Sequence, residues 1–192
     1  MKVFIYQINN SCNWPLNRVS FAQVHSFPGY ETRSFSEADS HLSSDLRLIA
    51  FIRDPVARVI SAYTDKARRL VLEAKGLSET LADAGLSIEP SPSEFAENIR
   101  QYCELCPVID SHVRAYRSFL GNDLSIYDRI YRIDEIDQFA EEMSSLAKQQ
   151  LNVPQSNVAT THSATRPSFT PSDLTKLQDF CEDDYVLLGS YL

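Results

Sequence analysis

An α/β sandwich with a mainly parallel central sheet is the fold class this sequence predicts, and three observations carry it. Short apolar runs of strand type alternate with longer segments of helical period. The first run, residues 2 to 8, is apolar nearly throughout, as a strand covered on both faces is. Turn and capping chemistry stands where the period changes, above all at Asp54 and Pro55. Strands that alternate with helices pair in parallel, because each crossover returns the chain to the same end of the sheet.

The bounds agree with such a fold. A chain of 192 residues is long enough for one domain with a substantial core and short for two, so residues 1–192 read as a single domain. Hydrophobic content of 43% and aromatic content of 10% are those of a globular protein. A formal net charge of −8 excludes a broad polyanion-binding surface, so neither nucleic acid nor an anionic membrane is expected as partner. A small anion in a locally basic site remains compatible with that charge. The run "KVFIYQI" is too short to span a bilayer or to serve as a secretory leader, and a cytoplasmic location is expected.

In chain order, the strand at residues 2–8 ends in the polar turn of "NNSCNWPLNRVSFAQV", which continues into a helix candidate. "YETRSF" is a second short strand and "RLIAFIR" a third, clearer one. Helices are expected near residues 56–73, 92–105, 135–150 and 171–182, with a further strand in "LSIYDRIYRI". The helix at 92–105 opens with "SPSE": Ser91 as N-cap, Pro92 at the first position and Glu94 closing a capping box. Phe95, Ile99, Tyr102, Cys103 and Cys106 then recur at helical spacing, which makes the C-x-x-C pair part of an apolar face. No second Cys or His pair completes a zinc site, so no metal is expected and Cys12, Cys103, Cys106 and Cys181 read as reduced. Residues 74–93, with Gly76, Gly85, Pro90 and Pro92, read as a loop that shapes a binding pocket.

In parallel sheets ligands bind beyond the carboxyl ends of strands, here Asn9 to Trp14 and Arg53 to Pro55. Asp54 caps a helix and Pro55 suits its first position, so the strand ends at Arg53 and the helix begins at once. Val56, Val59, Ile60, Tyr63, Ala67 and Leu70 form the helix's apolar stripe, while Arg58 and Ser61 share another side. A guanidinium fork with a nearby hydroxyl suits a phosphate. Equally, Arg53 pairs with a core carboxylate and Ser61 bonds back to its own helix. The residue pattern leaves both readings open.

"RDPVARVISAYTDK" resembles the 3′-phosphate-binding segment of the sulfotransferases that use 3′-phosphoadenosine-5′-phosphosulfate, in particular the carbohydrate branch with its pattern R-D-P-x-x-R-x-x-S-x-Y. Arg53, Asp54, Pro55, Arg58, Ser61 and Tyr63 all stand in place. "YDRIYRIDEIDQFAEEM", "LNVP" and "DLTKLQDFCEDDYVLLGSYL" are similar to later segments of that family, in the same order. The resemblance implies a P-loop-like three-layer sandwich in which Arg53 and Ser61 hold the 3′-phosphate of the donor nucleotide. It implies in-line sulfuryl transfer to a hydroxyl of a carbohydrate or small metabolite, without metal and without a covalent enzyme intermediate.

Two loops would then carry the chemistry. The 5′-phosphosulfate loop of the family has a lysine that supports charge on the leaving phosphate. Here Asn9, Asn10, Ser11, Cys12, Asn13 and Trp14 form the turn, Asn10 stands where the lysine is expected, and Arg18 is the nearest cation. No lysine occurs between Lys2 and Lys66. The proton of the acceptor hydroxyl needs a base. "SFSEADSHLSSD" offers Glu37, Asp39 and His41, with Glu37 near the position of the family's glutamate base, and His25 lies outside that stretch. His112 and Arg114 resemble a family segment near the acceptor. Two other classes compete: a non-catalytic module that keeps the nucleotide site, and an ATP-using P-loop kinase. The kinase is disfavoured because G-x-x-x-x-G-K-(S/T) appears nowhere in the chain.

Overall fold

The computed structural model describes Phe35 and residues 48–64, 77–148, 150 and 167–192. In chain order the described elements are β1 (Ile49–Ile52), α1 (Pro55–Ala62), α2 (Leu77–Asp83), α3 (Pro92–Leu105), α4 (Pro107–Val113), α5 (Arg117–Leu120), β2 (Arg129–Arg132), α6 (Ile136–Ala147), α7 (Pro171–Phe180) and α8 (Glu182–Leu188). This is a helix-rich structure with a small parallel sheet, compatible with the α/β class. The strand expected at residues 2–8 and all but Phe35 of "YETRSF" lie outside the described residues. Among the described residues, no helix is long and apolar enough to cross a membrane.

The described residues fall into two compact units, one of Phe35 and residues 48–52, 127–148 and 150, the other of residues 53–64, 77–126 and 167–192. In the first unit, β1 and β2 pair in parallel, from Ile49 opposite Arg129 to Ile52 opposite Arg132. The pairing is closed at its start by the Leu48 N–H, which donates to the Asp128 carboxylate at 2.8 Å, and by the Asp128 N–H, which donates to the Leu48 carbonyl at 2.9 Å. Ala50 and Ile52 are buried and Ile49 and Phe51 half-buried, so both faces of β1 are covered, as its apolar run requires. Phe51 stacks on Tyr131 with ring centroids 5.5 Å apart and meets Phe139 of α6 edge-on at 4.8 Å. The strand expected in "LSIYDRIYRI" is shorter than its apolar pattern: a 3₁₀ turn takes Leu124–Ile126 and only Arg129–Arg132 extends.

In the second unit a core of Val56, Val59, Tyr63, Phe95, Ile99, Tyr102, Ile109 and Leu177 joins α1, α3, α4 and α7. The α3 boundaries match those read from the sequence, and Ser91 accepts the Glu94 N–H at 3.2 Å. The capping box is only half formed. The Glu94 carboxylate turns instead to the Ser87 N–H at 2.8 Å and the Tyr102 hydroxyl at 3.1 Å, tying the α2–α3 connection to the helix. Part of residues 74–93 is helix, not loop: α2 buries Leu81 completely, and Gly85 then takes a positive φ of 73° that ends it.

The C-terminal helix expected over 171–182 breaks at Cys181 and restarts as α8. Its start carries a full capping box, in which the Thr170 side chain accepts the Asp173 N–H and the Asp173 carboxylate accepts the Thr170 N–H at 2.8 Å. Cys103 is half-buried and Cys106 and Cys181 are buried, all three with free thiols. Burial pushes the Cys103 and Cys181 thiols up to about 12, which leaves them protonated and unreactive at neutral pH.

Candidate functional site

Chain order alone places Arg53 directly after β1 and one residue before the cap of α1. Asp54 is that cap: one carboxylate oxygen accepts the Ala57 N–H at 2.7 Å, and Pro55 fills the first helical position. Its other oxygen accepts the Tyr185 hydroxyl of α8 at 2.8 Å. Burial and this bond to Asp54 together push the Tyr185 hydroxyl up to about 12, so it stays a donor.

Arg53 itself is exposed, and its backbone is held by a side chain. The Arg53 N–H donates to the Tyr116 hydroxyl oxygen at 2.9 Å, and the same hydroxyl donates to the Arg53 carbonyl at 3.0 Å. One phenol therefore does for Arg53 what a neighbouring strand does for the residues of β1. Among the described residues the Arg53 guanidinium has no hydrogen-bond or ion-pair partner. Ser61, half-buried near the end of α1, has no bond back to its helix, whereas Thr64 donates to the Ile60 carbonyl at 2.8 Å. The helical rise separates Ser61 from the cap by roughly 10 Å along the axis, and no hydrogen bond joins it to Arg53.

The core carboxylate partner belongs to Arg58, not Arg53. Arg58 Nη2 faces three acceptors: the Val113 carbonyl at 3.0 Å, the Arg114 carbonyl at 2.6 Å and Asp184 Oδ2 at 3.1 Å. Its guanidinium lies 4.0 Å from the centre of the Tyr116 ring, a cation–π contact. Nε of Arg58 is buried without a partner among the described residues. Asp184 is 4% exposed and its other oxygen accepts the Tyr116 N–H at 2.6 Å. Burial raises the Asp184 carboxyl above its ordinary value, against the opposite pull of the Tyr116 N–H, Arg58 and Arg117. Among the described residues, Arg58 is thus tied into the structure through Nη2, whereas the Arg53 guanidinium has no partner.

His112 and Arg114 sit at the end of α4 in local contacts. His112 is exposed, with Nδ1 2.8 Å from the Val108 carbonyl, and the Arg114 side chain pairs with Asp110 one turn back. Asn10, Ser11, Cys12, Asn13, Trp14, Arg18, His25, Glu37 and His41 lie outside the described residues. Among the described residues no group of three or more His, Cys, Asp or Glu side chains is placed to hold a metal ion.

Tyr116, Asp184 and Tyr185 are the site residues that sequence reasoning missed. Tyr185 and Asp184 stand in the acidic "CEDDYV" stretch, and Tyr116 stands two residues beyond Arg114. Nothing local marks them, because their partners lie 63 to 131 residues away.

With this geometry in hand, the comparison with known families is decisive at one level. The family model described as the sulfotransferase family matches residues 4–191, and the chain belongs to that family. Its chemistry, in general, is the transfer of a sulfuryl group. No curated protein and no solved structure matches the chain.

Proposed function

We propose that the protein transfers a sulfuryl group from 3′-phosphoadenosine-5′-phosphosulfate to a hydroxyl of a carbohydrate or small metabolite, on a P-loop-like three-layer fold. The observation that carries this reading is the division of labour between two arginines. Arg58 satisfies the core carboxylate, and Arg53 is exposed, without a side-chain partner among the described residues, on a clamped backbone beside the N-terminus of α1. A free guanidinium fork fits a phosphate, and the partial positive charge of a helix start adds to it. The Ser61 hydroxyl, unspent on its own helix, supplies a further donor.

The donor nucleotide would bring an activated S–O bond, which breaks toward the bridging phosphate oxygen as the acceptor oxygen bonds to sulfur. The chain's own residues would bind and orient. On the family resemblance, Arg53 and Ser61 would anchor the 3′-phosphate, the residues from Asn10 to Trp14 with Arg18 would serve the 5′-phosphosulfate, and Glu37 or His41, with His25 as outsider, would take the acceptor proton. A second reading is favoured by Asn10 in place of lysine: a module that binds the nucleotide and transfers sulfate poorly or not at all.

Calorimetry and thermal shift with 3′,5′-phosphoadenosine, AMP and ATP test the nucleotide site, since a ligand of the folded state must stabilise it. The 3′-phosphorylated nucleotide is expected to bind best, and equal binding of AMP would refute the assignment. Turnover of a labelled sulfate donor over a panel of hydroxyl acceptors separates the enzyme from the binding module.

A further inference from the structure

The Tyr116 hydroxyl is satisfied in an unusual way: both its donor and its acceptor capacity are spent on the two backbone groups of one residue, Arg53. That residue lies past the last paired position of β1, where the Ile52–Arg132 pairing ends. The phenol is itself immobilised. Its ring lies under the Arg58 guanidinium, its N–H is held by the buried Asp184 carboxylate, and the residue is 6% exposed. A rigid group thus fixes the backbone of an exposed side chain with no structural partner of its own among the described residues.

We propose that Tyr116 is a positioning residue for nucleotide binding: by bonding both the N–H and the carbonyl of Arg53, it fixes the direction in which the Arg53 guanidinium meets a 3′-phosphate, without touching the nucleotide. The proposal rests on the reading of Arg53 as the 3′-phosphate ligand. Without the clamp the residue between strand and cap samples other φ and ψ values, and a long side chain amplifies each small rotation at its Cα. Binding then carries the added cost of ordering Arg53. The site keeps its charge and loses its aim.

The test is Tyr116→Phe, which removes one oxygen and keeps the packing, read by calorimetric titration with 3′,5′-phosphoadenosine and with AMP, alone and combined with Arg53→Ala. Loss of one bonded hydroxyl is expected to weaken 3′,5′-phosphoadenosine by roughly three- to tenfold. AMP affinity is expected to stay unchanged, and the Arg53→Ala, Tyr116→Phe double variant to bind as Arg53→Ala alone does. A merely structural role for Tyr116 lowers both nucleotides together and adds to Arg53→Ala; that result overturns the proposal. So does wild-type affinity in Tyr116→Phe when Arg53→Ala is weakened. If Arg53→Ala itself binds 3′,5′-phosphoadenosine normally, the phosphate reading fails first and the positioning role with it.

Should Tyr116→Phe not fold, a polyfluorinated tyrosine at 116 keeps the hydroxyl and makes it more acidic, and its ionisation in place is followed by phenolate absorbance. Once ionised it cannot donate to the Arg53 carbonyl. The preference for 3′,5′-phosphoadenosine over AMP should then fall as the phenolate forms, beyond whatever change the wild type shows over the same pH range, since both proteins share the facing Arg58, Asp184 and Arg53 groups and the titration of the nucleotide's own phosphates. A preference that tracks the wild type while the phenolate forms overturns the proposal.

Discussion

The guanidinium of Arg58 lies 3.1 Å from the Asp184 carboxylate, Nη2 to Oδ2, with the two side chains 15% and 5% exposed. Their residues are 126 positions apart in the chain, so this pair ties α1 to α8. Removing one member leaves the other charge buried without its partner. Arg58→Ala and Asp184→Ala are each expected to cost about 3–5 kcal/mol, and the double variant much less than the sum. Urea unfolding of the four proteins measures this; additive losses would show that the pair is not coupled.

Arg53 should behave in the opposite way. Its side chain is exposed and has no partner among the described residues, so Arg53→Ala is expected to change stability by no more than about 0.5 kcal/mol. Nucleotide binding should fall by on the order of 2 kcal/mol, the worth of a paired charged contact. Two arginines five residues apart in one motif would thus separate cleanly by unfolding and by calorimetry. A large stability loss in Arg53→Ala would place it in the core network instead.

A third expectation concerns pH. The Asp173 carboxylate accepts the Thr170 N–H and the Ser93 hydroxyl, and the backbone bond to Thr170 above all holds its carboxyl below the ordinary value. A carboxyl depressed in the folded state contributes stability above its unfolded value and loses it as pH falls through the folded one. Asp173→Ala should therefore lower the Tm at neutral pH, and the gap to wild type should close on acidification below the ordinary carboxylate range. A gap that persists at acid pH would assign Asp173 a packing role.

A fourth expectation follows from Asn10. An amide offers the leaving phosphate a hydrogen bond roughly half as strong as a charge-assisted one. Nucleotide binding and turnover should come apart, with Asn10→Lys raising transfer and leaving 3′,5′-phosphoadenosine affinity within a few-fold. If Arg18 has taken over, Arg18→Ala abolishes transfer. Brisk turnover insensitive to both substitutions would refute the role of this loop.

Read from the sequence alone, the local devices were legible. Asp54 with Pro55 starts α1, Ser91 with Pro92 starts α3, and the runs around Ile49 and Ile130 extend as strands, because capping and period act between residues a few positions apart. Even the family resemblance carried by "RDPVARVISAYTDK" was readable as a string, and the family match over residues 4–191 agrees with it. What the string left open was which arginine serves structure. Arg53 and Arg58 carry the same chemistry, and only packing brings Asp184 and the 113–114 carbonyls to Arg58 and the Tyr116 hydroxyl to the Arg53 backbone. Glu94 shows the same limit on a smaller scale: its sequence position fits a capping box, but the nearby Ser87 N–H and Tyr102 hydroxyl compete for the carboxylate and win. Local rules decide where a helix begins because their partners are fixed by backbone geometry. A buried charge or hydroxyl takes whichever partner the fold delivers, and that choice exists only once distant segments have packed.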